Sequence, residues 1–171
     1  NTYKFALAKF LIDYANKVED LQSKLDNNTN YIIGYSNIAK EFLRYYWHQI
    51  IKYKIRQNYN TEKPPLIVQI LKSVFPKETI FQSYKDISED IKLIAENQIA
   101  KKCFSEVIPR FQNIGDGNKV INKKTFYEYH YKNENRIEVY PQAIKFFKDN
   151  NIFLNEAVIL EWARFLEKIN L

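Results

Sequence analysis

Methionine is absent from the sequence, and cysteine, glycine and proline are scarce, at one, three and five among 171 residues. The single cysteine, Cys103, excludes an intramolecular disulfide framework and a cysteine-rich zinc site in this chain, and it suits a reducing cytoplasm. No apolar run approaches the ~20 residues of a membrane span, and the amino terminus lacks the apolar stretch of a signal peptide. We therefore expect a cytoplasmic protein with no membrane partner. Without methionine, a chain starting at Asn1 is expected to be either processed or a fragment.

Aromatic residues and positive charge are what the sequence has in excess. The 13 Tyr, 12 Phe and 2 Trp predict a core rich in aromatic rings, with Tyr hydroxyls reaching the surface. The length suits one core, so we expect residues 1–171 to fold as a single helical domain. A net charge of +6 is compatible with a nucleic-acid partner, although many proteins without one carry a similar excess.

The opening segment, "TYKFALAKFLIDYANKVEDLQSKL", predicts one amphipathic helix of roughly 22 residues. Its apolar residues follow heptad spacing, and the turn-forming stretch "DNNTN" at 26–30 ends it. Six side chains form the seam: Leu7, Leu11, Tyr14, Val18, Leu21 and Leu25. About three heptads are too few to distinguish packing on the chain's own core from a dimer seam.

Capping residues and prolines predict the remaining helix boundaries. A second helix is predicted from Ser36 to about Asn58, and Pro64 and Pro65 begin a third. A fourth helix begins at Asp86, with Glu89 at capping-box spacing, and ends at Pro109. Pro141 begins a fifth helix, and Asn155 is the N-cap of a sixth. Within the sixth helix, an apolar face is expected to be buried. It comprises Val158, Ile159, Trp162, Phe165, Leu166 and Ile169.

Period-two alternation appears in one region only. The sequence predicts a β-hairpin at about 125–140, in which the alternating stretches "TFYEYHY" and "RIEVY" flank a "KNEN" turn. In the first stretch, Tyr127, Tyr129 and Tyr131 lie on the same side. Residues 112–124, which hold two of the three glycines, are predicted to be a loop. The expected fold class is therefore mainly α, a single-domain bundle of about six helices with one small β-hairpin.

Catalytic motifs are hard to find in this sequence. His48 and His130 lie on different elements, and neither belongs to a metal-ligand or triad pattern. "EDIK" at 89–92 fits an exposed first helical turn better than a carboxylate nuclease site, and "GDG" at 115–117 lacks the residues of a phosphate loop. Cys103, beside two lysines, is of mild reactivity at most without a partner base. We predict no catalytic residue, metal ligand or cofactor in this chain.

The stretch "IAKEFLRYYWHQIIKYKIRQ" (38–57) places five cations at steps of four residues. These residues, the cationic row, are Lys40, Arg44, His48, Lys52 and Arg56. On a helix the first four form one slanting stripe about 120° wide, and the fifth drifts towards the apolar side. The opposite face is predicted to be core. Its residues are Phe42, Tyr45, Tyr46, Ile50 and Tyr53. Because Ile51 and Ile55 share the cationic side, we interpret it as a contact surface and not as a purely solvated face.

The positive charge of the chain is concentrated in two segments, 40–63 and 101–124, each with six Lys or Arg against two acids. Clustered cations are the pattern expected of contacts to nucleic-acid phosphates. The candidate DNA-binding residues are Lys40, Arg44, His48, Lys52, Lys54, Arg56, Lys101, Lys102, Arg110, Lys119, Lys123 and Lys124. A solvated lysine-rich surface is the competing interpretation.

Several stretches in order resemble the N-terminal helical region of HNH-type restriction endonucleases. They are "TYKFALAKFLIDYA", "IAKEFLRYYWHQIIKYKIRQ", "VIPRFQNIG", "FYEY" and "AVILEWARFLEKIN", and together they span nearly the whole chain. In that family a ββα-metal nuclease follows the last helix, whose pattern matches Trp162, Leu166, Glu167 and Asn170 here. The resemblance implies that a divalent metal and cleavage belong to a nuclease part outside these residues, since the HNH histidines and paired cysteines have no counterpart.

Two functions from different classes follow. The first is a DNA-binding or specificity module of a restriction-type or phage-defence nuclease, with double-stranded DNA as partner. The resemblance implies that such a module is the N-terminal domain of a longer protein. The second is a protein–protein assembly module, such as a homodimerisation domain, without direct contact to nucleic acid. An enzyme complete in itself has little support from these residues.

Overall fold

The computed structural model describes residues 2–115, 121–130 and 134–171, and this part of the chain is mainly helical, with 66% of residues in helices. Eight α-helices are present: α1 (Tyr3–Lys17), α2 (Leu21–Asp26), α3 (Tyr35–Trp47), α4 (Leu66–Val74), α5 (Glu89–Lys102), α6 (Phe104–Phe111), α7 (Pro141–Asp149) and α8 (Asn151–Asn170). A π-helical turn, His48–Lys52, continues α3, and two 3-10 helices, Lys77–Phe81 and Tyr84–Asp86, lie between α4 and α5. The mainly α prediction is confirmed, whereas the prediction of about six helices is wrong.

Tertiary contacts divide the predicted first helix into α1 and α2. Val18, extended at ψ 129°, ends α1, and its carbonyl oxygen accepts a bond of 2.6 Å from Lys148 Nζ. Asp20 accepts a bond of 3.1 Å from the Tyr31 hydroxyl. These partners lie far away in sequence, so helical periodicity alone could not reveal the break. Leu7 and Leu11, the first residues of the heptad seam, are fully buried in this chain's own core.

Three other predicted boundaries are wrong for similar reasons. Cys103 separates α5 from α6, which lets Phe104 pack edge-on against the Phe42 ring at 5.1 Å. Pro109 lies inside α6 and does not end the predicted helix. Helix α3 begins before Ser36, because its first residue donates a backbone bond to the Asn135 carbonyl. Helix α8 begins four residues before Asn155, since a single residue separates it from α7.

The sheet has three antiparallel strands where only a hairpin was predicted. Strands β4 (Tyr127–His130) and β5 (Arg136–Val139) confirm the hairpin, and β1 (Tyr31–Gly34) pairs with the outer edge of β5. Strand β1, with the sequence YIIG, was missed because its apolar residues are consecutive and do not alternate with polar ones. Tyr131 and the centre of the predicted turn lie outside the described residues.

A second, two-stranded pair occupies part of the predicted loop at 112–124. Strand β2 (Asn113–Ile114) pairs with β3 (Ile121–Asn122) in antiparallel register. Its connecting residues, 116–120, are outside the described ranges. The buried Gln112 amide anchors this region, because its Nε2 donates to the Tyr127 carbonyl at 2.9 Å and its Oε1 accepts from the Phe126 amide at 2.7 Å.

The core is aromatic, as predicted. Tyr46 and Trp47 are completely buried, and Trp162 of α8 packs on the Tyr46 ring at 5.6 Å. Two residues predicted to be core are not: Ile159 is 54% exposed and Tyr53 is 63% exposed. Among the helices that the structure describes, none is long and apolar enough to cross a membrane.

A buried chain of polar side chains joins the start of α1 to the segment that follows the π turn. The Thr2 hydroxyl donates to Gln57 Oε1 at 2.9 Å, and the Tyr46 hydroxyl lies 2.8 Å from the same Thr2 oxygen. Because Thr2 has one hydroxyl proton and gives it to Gln57, Tyr46 is the donor in the second bond. Gln57 Nε2 then donates to Gln49 Oε1 at 3.0 Å and to the Ile55 carbonyl at 3.3 Å.

Replacing Gln57 with alanine is expected to lower the free energy of unfolding by about 2–3 kcal/mol, because it removes the acceptor of the buried Thr2 hydroxyl proton and the donor to the half-buried Gln49 Oε1. Urea denaturation followed by circular dichroism measures this loss. The matched control is Gln82→Ala at an exposed glutamine, expected to change stability by less than about 0.5 kcal/mol. Equal stability of the two variants would contradict the role given to Gln57.

Candidate nucleic-acid interface

The first half of the cationic row is engaged by carboxylates of this chain. Arg44 Nη2 lies 2.6 Å from Glu41 Oε2 and 3.8 Å from Asp13 Oδ2, and its Nε donates to the same Glu41 oxygen at 2.8 Å. Partial burial opposes the charge, but the bond to Glu41 and the nearby carboxylates raise the pKa of Arg44. Arg44 is therefore a partner in a local ion-pair cluster and not a free cation.

Lys40 is exposed and lies beside the acidic face of α5. The bond from Lys92 lowers the pKa of Glu89, and the Lys40 charge contributes to this shift. Burial raises the pKa of Glu96, and the Lys40 charge opposes that shift. The bond from Lys92 to Glu89 is 2.7 Å long, and the Lys92 ammonium lies 5.0 Å from the centre of the Tyr84 ring. Carboxylates therefore offset much of the positive potential around α3 and α5.

The second half of the row has no such compensation. His48, Lys52, Lys54 and Arg56 are exposed, and none forms an ion pair with a side chain that the structure describes. These four residues are called the π-turn cations. The His48 and Trp47 rings lie edge to face, with 4.9 Å between their centroids.

Backbone hydrogen bonds define how the helix ends in the segment that carries the π-turn cations. The Tyr53 N–H donates to the His48 carbonyl at 3.0 Å, and the Ile55 N–H donates to the Gln49 carbonyl at 2.7 Å. Lys54 closes the helix in the left-handed region, with φ 54°. A left-handed residue at a helix end satisfies carbonyls that would otherwise lack partners. The predicted continuation of the helix to about Asn58 is therefore wrong.

The side chain of Asn170 fixes the backbone of Arg56 against α8. Its Oδ1 accepts from the Arg56 N–H at 2.9 Å, and its Nδ2 donates to the Arg56 carbonyl at 3.2 Å. The guanidinium takes no part in these bonds. Arg56 is thus held by its main chain while its charge remains exposed.

Two further lysines, Lys72 and Lys77, join the π-turn cations, and sequence analysis missed both. Lys72 lines two adjacent cavities, of about 140 Å³ and 530 Å³, and Lys54 lines both as well. Arg56 contributes to the smaller cavity and Lys77 to the larger. No pattern in the sequence connects these two lysines with the cationic row, because they lie on α4 and the following 3-10 helix, many residues further along the chain.

The second basic segment lies elsewhere and is partly neutralised. Arg110 pairs with Glu106 at 2.5 Å, and Lys124 pairs with Glu128 at 2.5 Å, which raises the pKa of Lys124. Three lysines of this segment are exposed and form no ion pair with a described side chain: Lys101, Lys102 and Lys123. Lys119 is outside the described residues. No described cavity brings this segment together with the π-turn cations.

Two residues considered for catalysis outside the cationic row, His130 and Cys103, have partners within the fold. His130 Nε2 lies 3.2 Å from Glu138 Oε1 on the neighbouring strand. Cys103 is buried and accepts a bond of 3.8 Å from the Tyr3 hydroxyl, and burial raises the pKa of its thiol to about 11. Across the described ranges, no group of three or more His, Cys, Asp or Glu side chains is placed to hold a metal ion.

No protein-family model, curated protein or solved structure matches this chain. The resemblance to HNH-type endonucleases therefore depends on the sequence motifs alone. Function has to be argued from the exposed, uncompensated cations of the π turn and α4.

Replacing Lys54 with glycine is expected to raise the free energy of unfolding by about 0.5–1 kcal/mol relative to Lys54→Ala, because glycine adopts positive φ without strain. Both variants lose the same charge, so their difference isolates the backbone effect. Thermal and urea denaturation measure it. A glycine variant no more stable than the alanine variant would show that position 54 is not held in the left-handed conformation.

Proposed function

We propose that this chain is the DNA-binding and specificity module of a restriction-type or phage-defence HNH endonuclease. It would contact duplex phosphates through the π-turn cations, with Lys72 and Lys77 beside them. The observation that carries the proposal is that Lys54, Arg56, Lys72 and Lys77 line two adjoining cavities, are exposed and form no ion pair with a described carboxylate. Such a surface supplies affinity that is electrostatic and independent of sequence.

The proposal narrows the contact set that the sequence predicts. Arg44 would have to exchange its bonds with Glu41 and Asp13 for a phosphate, which reduces the net gain from binding. Lys52, Lys54 and Arg56 carry no such cost. Lys101, Lys102 and Lys123 remain candidates for a second, separate contact.

Cleavage is assigned to a different part of the nuclease, as the resemblance implies. Two residues of the motif that matches the family's last helix have structural contacts here. Trp162 packs between Phe5 and Tyr46, and Asn170 holds the backbone of Arg56. The motif helix therefore supports the proposed DNA-binding edge. A divalent metal would be bound in the nuclease part.

Neutralising Lys52, Lys54 and Arg56 together is expected to weaken duplex binding and to reduce its salt dependence. Each lost phosphate contact lowers the slope of log affinity against log salt by about 0.9, so the slope falls by up to roughly 3. The variant is Lys52→Gln, Lys54→Asn, Arg56→Gln, because asparagine tolerates the left-handed backbone. Fluorescence anisotropy with a labelled duplex over a salt series measures both quantities.

Two control variants locate the effect. Lys17→Gln, Lys24→Gln, Lys145→Gln removes the same charge on α1, α2 and α7, none of which lines the two cavities, and is expected to keep the slope near the wild-type value. Lys40→Gln, Arg44→Gln is expected to have an intermediate effect because Arg44 is already paired. A wild-type chain without salt-dependent affinity for duplex DNA would refute the proposal.

An assembly module is the second candidate, and one observation favours it. The outer face of α8 exposes large apolar side chains, including Ile152 and Phe153, each 71% exposed, with Ile159 and Leu160 further along the helix. Apolar residues concentrated on one face of a helix are typical of protein interfaces. This face is separate from the π-turn cations, so the two functions are testable independently.

If α8 mediates self-association, Phe153→Glu with Ile159→Glu is expected to convert a dimer into a monomer without changing the affinity for duplex DNA. Multi-angle light scattering at several concentrations measures the mass. The matched control is Ile32→Glu, at another exposed isoleucine on β1. A wild-type monomer at all concentrations would refute the homodimer form of this candidate.

A further inference from the structure

The two cavities that share Lys54 and Lys72 form one trough with chemically different ends. Ile50 also lines both, so the apolar floor continues beneath the lysines. The larger end, about 530 Å³, has walls of isoleucine, phenylalanine and proline. The smaller end, about 140 Å³, has the amides of Asn58 and Asn60 beside the Arg56 guanidinium. The trough therefore suits a ligand with an apolar body and an anionic group.

Charge complementarity fixes the sign of the ligand. Lys54 and Lys72 stand at the junction of the two ends, Lys77 lies on the apolar side and Arg56 on the polar side. None of the described lining residues is acidic. An anionic group bound at the junction would meet two ammonium groups.

An exposed ring identifies the apolar body. Phe81, the last residue of the 3-10 helix Lys77–Phe81, lines the larger end and is 90% exposed. A fully presented aromatic face beside lysines is the arrangement with which proteins bind single-stranded nucleic acid, stacking on the base and pairing with the phosphate. The volume of the larger end falls within the range of small-ligand sites.

We propose that the trough binds an unpaired nucleotide, with its base on Phe81 and its phosphate at Lys54 and Lys72. The proposal rests on DNA as the proposed partner of this edge and goes beyond phosphate contact with the duplex. The trough offers lysine ammonium groups but no described amide or hydroxyl at its apolar end, so it takes any base that stacks. The module would then prefer DNA with an extruded or single-stranded nucleotide over an intact duplex.

Anisotropy titrations with three labelled DNAs test this inference. The probes are an intact duplex, the same duplex with one unpaired thymidine, and an oligothymidylate. The bulged duplex is expected to bind about tenfold more tightly than the intact one. Phe81→Ala is expected to remove that gain and weaken oligothymidylate binding about tenfold, whereas Phe81→Trp keeps both because it retains stacking. Lys72→Gln is expected to lower the salt slope with oligothymidylate by about 0.7.

Phe153→Ala, at a similarly exposed ring on α8, is the matched control and is expected to leave all three affinities unchanged. Equal binding of bulged and intact duplexes, with no effect of Phe81→Ala, would overturn this inference while leaving duplex binding in place. Absence of binding to all three DNAs would overturn both proposals. A third outcome would assign the trough to a protein partner instead. In that case Phe81→Ala would lose binding to an acidic, leucine-rich helical peptide while its affinities for the three DNAs stay unchanged.

Discussion

The buried bond between the Thr2 hydroxyl and the Gln57 side chain is the interaction on which the arrangement of the candidate site depends. Gln57 is 1% exposed, and its amide also joins Gln49 in the π turn and the carbonyl of Ile55. Because a buried amide without partners costs about 1–3 kcal/mol, this segment has one favourable position. Asn170 adds a second restraint from α8, through the backbone of Arg56. The exposed cations therefore stand on a fixed backbone, which reduces the entropy lost when they bind phosphate.

Pairing with nearby carboxylates then determines which cations are available to bind a polyanion. Carboxylates from three elements surround the first half of the cationic row, where Arg44 pairs with Glu41 and Asp13. The row leaves that environment at the π turn, and the chain turns towards α4. There Lys54 and Lys72 line a common trough without a described acidic neighbour. A regular sequence pattern is thus divided by the fold into a structural half and a half suited to a polyanion. The left-handed backbone at Lys54 is part of this division, because it ends the helix.

Much of the fold could be predicted from sequence where the signal is local. The helical periodicity, the start of α7 at Pro141 and the pairing of β4 with β5 follow from spacing and turn residues. The helix breaks at Val18 and Cys103 could not be predicted, because bonds and packing with distant residues cause them. The same holds for the site. The Glu41–Arg44 spacing was readable as an ion pair, but the proximity of Lys72 to Lys54 depends on how α4 packs against the π turn.

Lysine acetylation footprinting with and without duplex DNA tests the proposed contact surface most directly. Mass spectrometry after brief treatment with an acetylating reagent measures the modification of each lysine in the same sample. We expect DNA to protect Lys52, Lys54, Lys72 and Lys77, while Lys17, Lys24 and Lys145 react at unchanged rates. Protection confined to Lys101, Lys102 and Lys123, or the same modification of every lysine with and without DNA, would contradict the assignment of the π turn as the DNA-binding edge.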